Sequence, residues 1–213
     1  MGFLSVLSFA HRCVADRIRP GDAAIDATVG TGADTAFLCK AVGPQGAVFA
    51  FDIQAEALAR ARERIAALPD APKRLQLLLR SHAEMREAIP EELHGRIAAV
   101  MFNLGYLPGG DERIITRPES TIPALQTAIS LLKPDGVLTV VLYPGHEGGG
   151  EEAERVERWA ESLPETEYRT VVYRFANRSG HPPYVIAVER KKKPTVRAAH
   201  PFPDGHESEG TDE

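Results

Sequence analysis

The chain has 213 residues, of which 43% are hydrophobic and 26% charged, and its net charge is -5. This length suits one well-buried domain and is too short for two of ordinary size, and the composition is that of a soluble globular protein. The negative charge excludes a generally basic nucleic-acid binder, although a local basic face is compatible with it.

The sequence has no segment that approaches the ~20 apolar residues of a membrane span. Its two cysteines, Cys13 and Cys39, lie far apart and have no metal-site spacing. Both features favour a cytoplasmic protein with reduced thiols, no membrane contact and no bound metal.

The predicted elements follow one another as an alternation of strands and helices. The apolar stretch at 1–10 lacks the positive start of a secretory signal and predicts an amphipathic helix packed on the domain. The pattern then predicts, in order, strand 23–28, helix 34–42, strand 47–52, helix 55–68, strands 75–79 and 97–102, helix 120–132, strand 137–142, helix 151–163, and strands 168–175 and 184–188. Residues 1–190 form the predicted domain, and residues 191–213, rich in Lys, Pro, Gly, His and acids, form a predicted disordered tail.

Strands that alternate with helices predict an α/β fold with a mostly parallel sheet and helices on both faces. The last two strands follow each other without a helix, so we expect an antiparallel last strand at the sheet edge. Seven strands of this kind form the Rossmann-like sheet of class I methyltransferases. In such a sheet a ligand binds beyond the carboxyl ends of the strands, near the switch in strand order.

A glycine loop follows the first predicted strand and opens the first helix of the alternation. Gly30 and Gly32 allow a tight turn, and the helix N-terminus offers N–H groups to an anion. Asp26 repels phosphate and suits an ammonium group, and Thr35 stands where a dinucleotide loop has its third glycine, which argues against NAD. The loop therefore predicts a site for a zwitterion such as the methionine end of S-adenosylmethionine, with the amine towards Asp26. The residues assigned to this site are Asp26, Thr28, Gly30, Thr31, Gly32, Asp34 and Thr35.

The second and third predicted strands supply the adenosine end of the same site. Asp52 stands about 20 residues past the glycines, where an acid accepts the ribose hydroxyls, and the alternative is a simple helix cap. Ile53 and Gln54 follow it, and Ile53 is placed to cover one face of the adenine. Ser81 and His82 are placed to meet the adenine edge, although His82 also fits a plain surface loop.

The residues at the end of the fourth predicted strand are the candidates for binding the methyl acceptor. Asn103 and Tyr106 have the spacing of amino-group methyltransferases, in which an amide oxygen orients the substrate N–H and an aromatic ring stacks on the base, although Leu104-Gly105 replaces the usual prolines. Asn103 and Leu104 are also assigned to the cofactor site. A planar substrate with a nitrogen acceptor is therefore expected. The alternative is a glycine-rich turn with a buried tyrosine.

An alkyl amine has a pKa of ~10 and must lose a proton before it attacks a methyl group. The candidates near the predicted site are Asn103, for orientation only, Asp111, and His146 in a glycine-rich loop after the fifth predicted strand.

Several stretches together resemble one family closely. They are Asp26-Ala27-Thr28 with the glycine loop and Asp34-Thr35, Phe51-Asp52-Ile53-Gln54, residues 101–110, Tyr143-Pro144-Gly145-His146 with Gly148-Gly149, and Pro182-Pro183. The family, often called MnmM or YtqB and long labelled as an rRNA methylase, methylates the aminomethyl group of 5-aminomethyl-2-thiouridine at the tRNA wobble position. The resemblance covers residues 5–190 and implies S-adenosylmethionine as cofactor, the anticodon region of tRNA as partner, and a homodimer.

The chain departs from the family pattern at two places. Thr31 stands where Asn is usual, and Asn177-Arg178-Ser179-Gly180-His181 replaces an Asn-Gln-Asn run in a loop that could touch RNA. An rRNA or small-molecule methyltransferase on the same fold, and a non-catalytic nucleotide-binding module, therefore stay open as alternatives.

Overall fold

The computed structural model describes residues 2–111 and 113–192. The predicted tail lies outside these residues from position 193 onward.

Helices and strands alternate through the described chain. The helices are α1 (Val6–Ala15), α2 (Ala33–Val42), α3 (Ala55–Ala66), α4 (Met85–Ala88), α5 (Pro118–Leu131) and α6 (Gly149–Glu161). The strands are β1 (Ala23–Asp26), β2 (Ala47–Asp52), β3 (Arg74–Leu79), β4 (Ile97–Asn103), β5 (Leu132–Leu142), β6 (Tyr168–Tyr173) and β7 (Tyr184–Arg190).

Within the described residues, the strands form one seven-stranded sheet in the order β3-β2-β1-β4-β5-β7-β6. Neighbours from β3 to β5 pair in parallel, whereas β7 pairs antiparallel with both β5 and β6. The connection through α6 carries the chain past one strand position, so that β6 does not pair with β5. Because no helix separates β7 from β6, β7 folds back antiparallel between β5 and β6. The predicted Rossmann-like fold with an antiparallel last strand is confirmed.

Both faces of the sheet are buried, as expected for parallel strands covered by helices. Apolar side chains of α1, α2 and α3 pack on one face, and those of α4, α5 and α6 pack on the other. The predicted N-terminal helix is confirmed, because Val6, Ala10 and Val14 of α1 are buried against the sheet.

The predicted boundaries differ from the observed ones around the fifth strand. β5 begins at Leu132 and not at residue 137, because Leu132 pairs with Ile97 before the register shifts to Ala99 and Val137. The predicted turn exists as an irregularity inside the strand, where Asp135 adopts a left-handed φ of 63°. Two short 3-10 turns, His82–Glu84 and Glu91–Leu93, and the single-turn α4 were not predicted, since such short segments show no periodicity.

The strand order reverses between β1 and β4, so the loops that follow these two strands face each other. The Asn103 N–H donates to Thr28 Oγ1 at 2.7 Å and joins the two loops directly. Among the described helices, none is long and apolar enough to cross a bilayer.

Candidate active site

Two adjoining cavities open at this reversal, at the carboxyl ends of the strands. The large cavity, of about 380 Å³, is lined by residues that follow β1, β4 and β5 and by the loop before β7. The small cavity, of about 100 Å³, is lined by residues that follow β1, β2, β3 and β4 and by the start of α5. Both cavities share Thr28, Gly30, Asn103, Gly105 and Tyr106. A single elongated ligand can therefore occupy the two together.

The glycine loop between β1 and α2 forms part of the wall that the two cavities share. Gly30 and Gly32 have φ values of 52° and 76°, which favour glycine. Gly30 lies at the ligand side, where its N–H donates to Asp52 at 2.9 Å. Gly32 lies at the packing side, because a Cβ there would stand 2.6 Å from the Cα of Ala61 on α3.

Asp26 lies behind the loop and does not belong to the described lining of either cavity. It is 1% exposed, and its carboxylate accepts hydrogen bonds from the Thr28 N–H at 3.1 Å and from the buried Thr35 hydroxyl at 2.6 Å. Burial, followed by the neighbouring charge of Asp34, raises the pKa of Asp26. Asp26 and Thr35 therefore shape the loop from behind.

Asp34 in the first turn of α2 does line the large cavity, together with Thr28, Gly30 and Thr31. One of its carboxylate oxygens lies 2.6 Å from Nε2 of His11 on α1. No sequence pattern pointed to His11, since it lies 23 positions from Asp34 along the chain.

The small cavity contains the residues predicted for the adenosine end. Asp52 accepts hydrogen bonds from the N–H groups of Gly30 and Gln54, both at 2.9 Å, so it joins the glycine loop to the turn before α3 and also lines the small cavity. Each of its oxygens keeps a lone pair that can accept a ribose hydroxyl. Ile53 is 58% exposed and forms an apolar wall, as the packing of an adenine face requires.

Ser81 and His82 line the small cavity as well, but most of their hydrogen-bonding capacity is already used. The Ser81 hydroxyl caps the short turn that follows β3. His82 is buried, with Nδ1 3.2 Å from the Ala27 carbonyl and Nε2 3.3 Å from the Ser120 hydroxyl. Burial lowers the pKa of His82, which keeps the imidazole neutral.

The loop after β4 forms the boundary between the two cavities. Leu104 is buried and its N–H donates to the Val141 carbonyl at 2.9 Å, which fixes the direction in which Asn103 leaves the strand. Tyr106 is 42% exposed and lines both cavities. The alternative of a buried tyrosine in a structural turn does not describe this side chain.

His146 lines the large cavity. Its Nδ1 lies 2.9 Å from the Glu147 carbonyl, which can only accept a hydrogen bond, so Nδ1–H donates, and Nε2 has no hydrogen-bond partner among the described residues. Gly149 leaves room for the imidazole, since a Cβ there would stand 2.9 Å from Nε2 of His146 and 2.3 Å from the Tyr143 carbonyl oxygen. The Tyr106 ring meets the imidazole edge-on, with 5.8 Å between the ring centroids.

Asp111, the other candidate base, lies apart from this group. Arg113 donates to it from its side chain at 2.7 Å and from its backbone N–H at 3.0 Å, and these hydrogen bonds lower the pKa of Asp111. It lies outside the described lining of both cavities. The structure therefore separates Asp111 from Asn103, Tyr106 and His146, which it brings together.

Tyr143 is a cavity residue to which the sequence assigned no role of its own. It lies beside Asn103, and burial followed by the charge of Asp34 raises the pKa of its phenol, against the opposing effect of an Asn103 hydrogen bond. The phenol therefore stays protonated at neutral pH. Its position next to Pro144-Gly145-His146 in the family-like stretch was the available signal.

A buried carboxylate supports the β4 loop from below. Glu152 on α6 is buried and accepts hydrogen bonds from the Thr116 hydroxyl at 2.7 Å and the Thr121 hydroxyl at 2.6 Å. Thr116 Oγ1 in turn accepts the Gly105 N–H at 2.8 Å. This chain of hydrogen bonds holds the loop over α5 and α6, and spacing in the sequence gave no sign of it.

The paired cavities fit S-adenosylmethionine by the chemistry of their walls. The small cavity has the Asp52 carboxylate and the exposed Ile53 side chain in its wall. The large cavity has the N-terminus of α2 and the Asp34 carboxylate. The Asn103 amide lies where the two cavities meet, and the His146 imidazole lines the large one. This fold and site define a methyltransferase that depends on S-adenosylmethionine.

Comparison with known proteins places the chain within this class. Residues 48–189 match the rRNA_methylase family, whose description reads "Putative rRNA methylase". An Arabidopsis thaliana protein named tRNA (mnm(5)s(2)U34)-methyltransferase, chloroplastic, is 36% identical over 189 residues, which are 85% of this chain and 68% of the relative.

Two solved structures share both fold and sequence with the chain. A Clostridium thermocellum protein described in the same words as the family is 37% identical, with a TM-score of 0.84 over 89% of this chain and 100% of that one. A Streptococcus mutans protein solved in complex with SAH, the demethylated cofactor, is 29% identical, with a TM-score of 0.78 over 89% of this chain and 99% of that one. The chain belongs to the rRNA methylase family of S-adenosylmethionine-dependent methyltransferases.

Proposed function

We propose that the protein methylates the aminomethyl nitrogen of 5-aminomethyl-2-thiouridine at the wobble position of tRNA, with the anticodon region as its partner. The observation that carries the proposal is the presence, in one cavity, of the Asn103 amide and of a His146 imidazole whose Nε2 is free to accept a proton. The name of the Arabidopsis thaliana relative supports the same substrate.

The acceptor amine has a pKa of ~10 and arrives as an ammonium ion. Nε2 of His146 accepts one of its protons, and the Asn103 carboxamide oxygen accepts a hydrogen bond from a remaining N–H. The nitrogen lone pair is then held in line with the methyl group, which removes much of the entropic cost of alignment.

S-adenosylmethionine supplies a methyl group on a positively charged sulfur. Bound in the two cavities, it would transfer this methyl group to the amine nitrogen and leave as a neutral thioether that keeps the electron pair of the broken carbon–sulfur bond. The positive charge moves to the methylated nitrogen, and the proton on His146 leaves to solvent.

Tyr106 provides the contact with the nucleobase. Its exposed ring stands at the boundary of both cavities and packs edge-on against His146. A base stacked on Tyr106 would lie beside both Asn103 and His146, and stacking of this kind is worth ~1–3 kcal/mol per base.

The assembly and compartment that we propose are a homodimer in the cytoplasm. Free Cys13 and Cys39 agree with a reducing compartment. Large apolar side chains remain exposed on the sheet-edge strand β6 and at the N-terminus beside it, namely Val171, Val172, Phe3, Leu4 and Leu7. We expect a second copy of the chain to cover this surface. Sedimentation velocity of the purified protein measures whether it is a dimer.

The chemical roles are tested by single-turnover methyl transfer to tRNA that carries the unmethylated aminomethyl nucleoside. We expect Asn103→Ala to lose about 100-fold in rate through misalignment, and His146→Gln to lose about 100-fold or more through loss of the base. Both variants should bind the cofactor normally in calorimetry.

Asp111→Asn is the matched control, because it changes a second candidate base that lies outside both cavities. It should react at the parental rate. Parental rates for Asn103→Ala and His146→Gln, or a slow Asp111→Asn, would contradict the proposed acceptor site.

A further inference from the structure

The large cavity offers a single negative charge to the amino-acid end of the cofactor. Asp34 is the one carboxylate among the described residues that line this cavity, and its side chain lies in the first turn of α2. The α-ammonium of a bound amino acid needs an anionic partner once water is excluded. The neighbouring N–H groups at the start of α2 suit the α-carboxylate and not the ammonium.

Asp26, the carboxylate that the sequence favoured for the ammonium, is not available for it. It is 1% exposed and lies behind the loop, outside the described lining of both cavities. Asp34 lines the large cavity, and only its Oδ1 has a partner among the described residues, which is His11.

His11 holds this carboxylate from the N-terminal helix. Its Nε2 lies 2.6 Å from Asp34 Oδ1, and its ring stacks on Phe37 of α2, with 4.1 Å between centroids and 1° between planes. The stacking fixes the ring, and the hydrogen bond fixes the carboxylate, so Oδ2 is left for a ligand. α1 is itself fixed, because Val6, Ala10 and Val14 are buried against the sheet.

From these contacts we propose that Asp34 receives the α-ammonium group of S-adenosylmethionine and that His11 is the positioning residue that holds Asp34 for this role. The N-terminal helix, outside the stretch that matches the family, thereby becomes part of the cofactor site. The proposal concerns cofactor binding only and is independent of the RNA substrate.

The test compares two ligands that differ in the amino-acid end. S-adenosylhomocysteine carries the α-ammonium, whereas 5′-methylthioadenosine has the same adenosine and thioether without it. Calorimetry on Asp34→Asn should show S-adenosylhomocysteine weakened about 10-fold or more, as expected for loss of a charged hydrogen bond. The affinity for 5′-methylthioadenosine should stay within about twofold of the parent.

His11→Phe keeps the ring on Phe37 and removes the hydrogen bond, so it should weaken S-adenosylhomocysteine by about fivefold and leave 5′-methylthioadenosine unchanged. His11→Gln keeps an N–H donor and should recover part of the loss. The double variant His11→Phe/Asp34→Asn should bind no worse than Asp34→Asn, because His11 acts through Asp34. Arg12→Ala, an exposed neighbour on α1, is the matched control and should bind both ligands as the parent does.

Equal weakening of both ligands by His11→Phe would show a purely structural role and overturn the proposal for His11. Additive losses in the double variant would do the same. Unchanged binding of S-adenosylhomocysteine to Asp34→Asn would overturn the proposal for Asp34, and a concurrent loss of turnover would assign Asp34 to the acceptor amine instead. Melting temperatures of all variants identify any that fail to fold.

Discussion

Asp52 shows how one side chain at the end of a strand can serve both the fold and the ligand. It accepts the Gln54 N–H in the turn before α3 and the Gly30 N–H from the neighbouring loop. The same carboxylate faces the small cavity. The alternative of a simple helix cap is wrong, because Gln54 is the N-cap of α3 and no side chain caps that helix.

Asp52→Ala should weaken S-adenosylmethionine by ~1–3 kcal/mol, because the ribose hydroxyls lose a charged acceptor. The Gly30 N–H also loses its partner, so a smaller loss of thermal stability should accompany the change. Calorimetry measures the affinity, and Asp16→Ala, at the end of α1, serves as the control. Unchanged affinity for the cofactor would remove Asp52 from the site.

The residues that the sequence could find are those whose neighbours along the chain carry the signal. Asn103 and Tyr106 stand at the end of an apolar strand, and His146 lies between glycines. The pairing of His11 with Asp34 and the support of Thr116 by Glu152 join residues that are 23 and 36 positions apart. Such contacts depend on how helices dock on the sheet, which spacing does not encode.

At the scale of elements, the junction of the glycine loop with α2 and α3 sets the position of the cofactor cavities. Gly32 has a left-handed φ of 76° and lies against Ala61 of α3. The close approach of the loop to α3 is therefore possible only without a Cβ. The glycine pattern predicted Gly32 as a cofactor residue, whereas the structure packs Gly32 against α3.

Gly32→Ala should destabilise the protein by about 2–4 kcal/mol, since it combines a strained φ with a clash against backbone. Gly43→Ala is the matched control, because Gly43 also has a positive φ, of 66°, but nothing lies within 4 Å of its Cβ position. That variant should lose only about 1 kcal/mol. Urea unfolding measures both, and equal losses would show that the contact with Ala61 contributes nothing.

The alternation of apolar runs and helical stretches predicted the strands and the longer helices well, because each is long enough to show a period. The early start of β5 could not be predicted in this way. Pro134, Asp135 and Gly136 are typical of a turn, and only pairing of Leu132 with Ile97 extends the strand across them.

At the scale of the whole molecule, the sequence predicted the type of sheet and not the order of its strands. The alternation of strands and helices and the missing helix before the last strand predicted a mostly parallel sheet with an antiparallel last strand, whereas the observed order depends on packing between distant segments. Because the ends of β1 and β4 meet where this order reverses, the position of the site followed from the topology. The identity of the methyl acceptor did not follow from the topology, since methyltransferases with many different substrates share this topology.

Removal of residues 194–213 should leave both folding and cofactor binding intact. This segment is rich in Pro, Gly, His and acidic residues and has no apolar period that could add to a core. Thermal unfolding and calorimetry of the shortened chain measure the two properties. A marked fall in melting temperature would show instead that the segment packs on the domain.

Nucleoside mass spectrometry tests most directly whether the protein methylates an aminomethyl nitrogen on tRNA. Purified protein and S-adenosylmethionine are incubated with tRNA that carries 5-aminomethyl-2-thiouridine, and the tRNA is then digested to nucleosides. We predict that this nucleoside disappears and that one heavier by a single methylene unit replaces it, with no product from the His146→Gln variant. An unchanged aminomethyl nucleoside after incubation with protein that binds the cofactor would contradict the account.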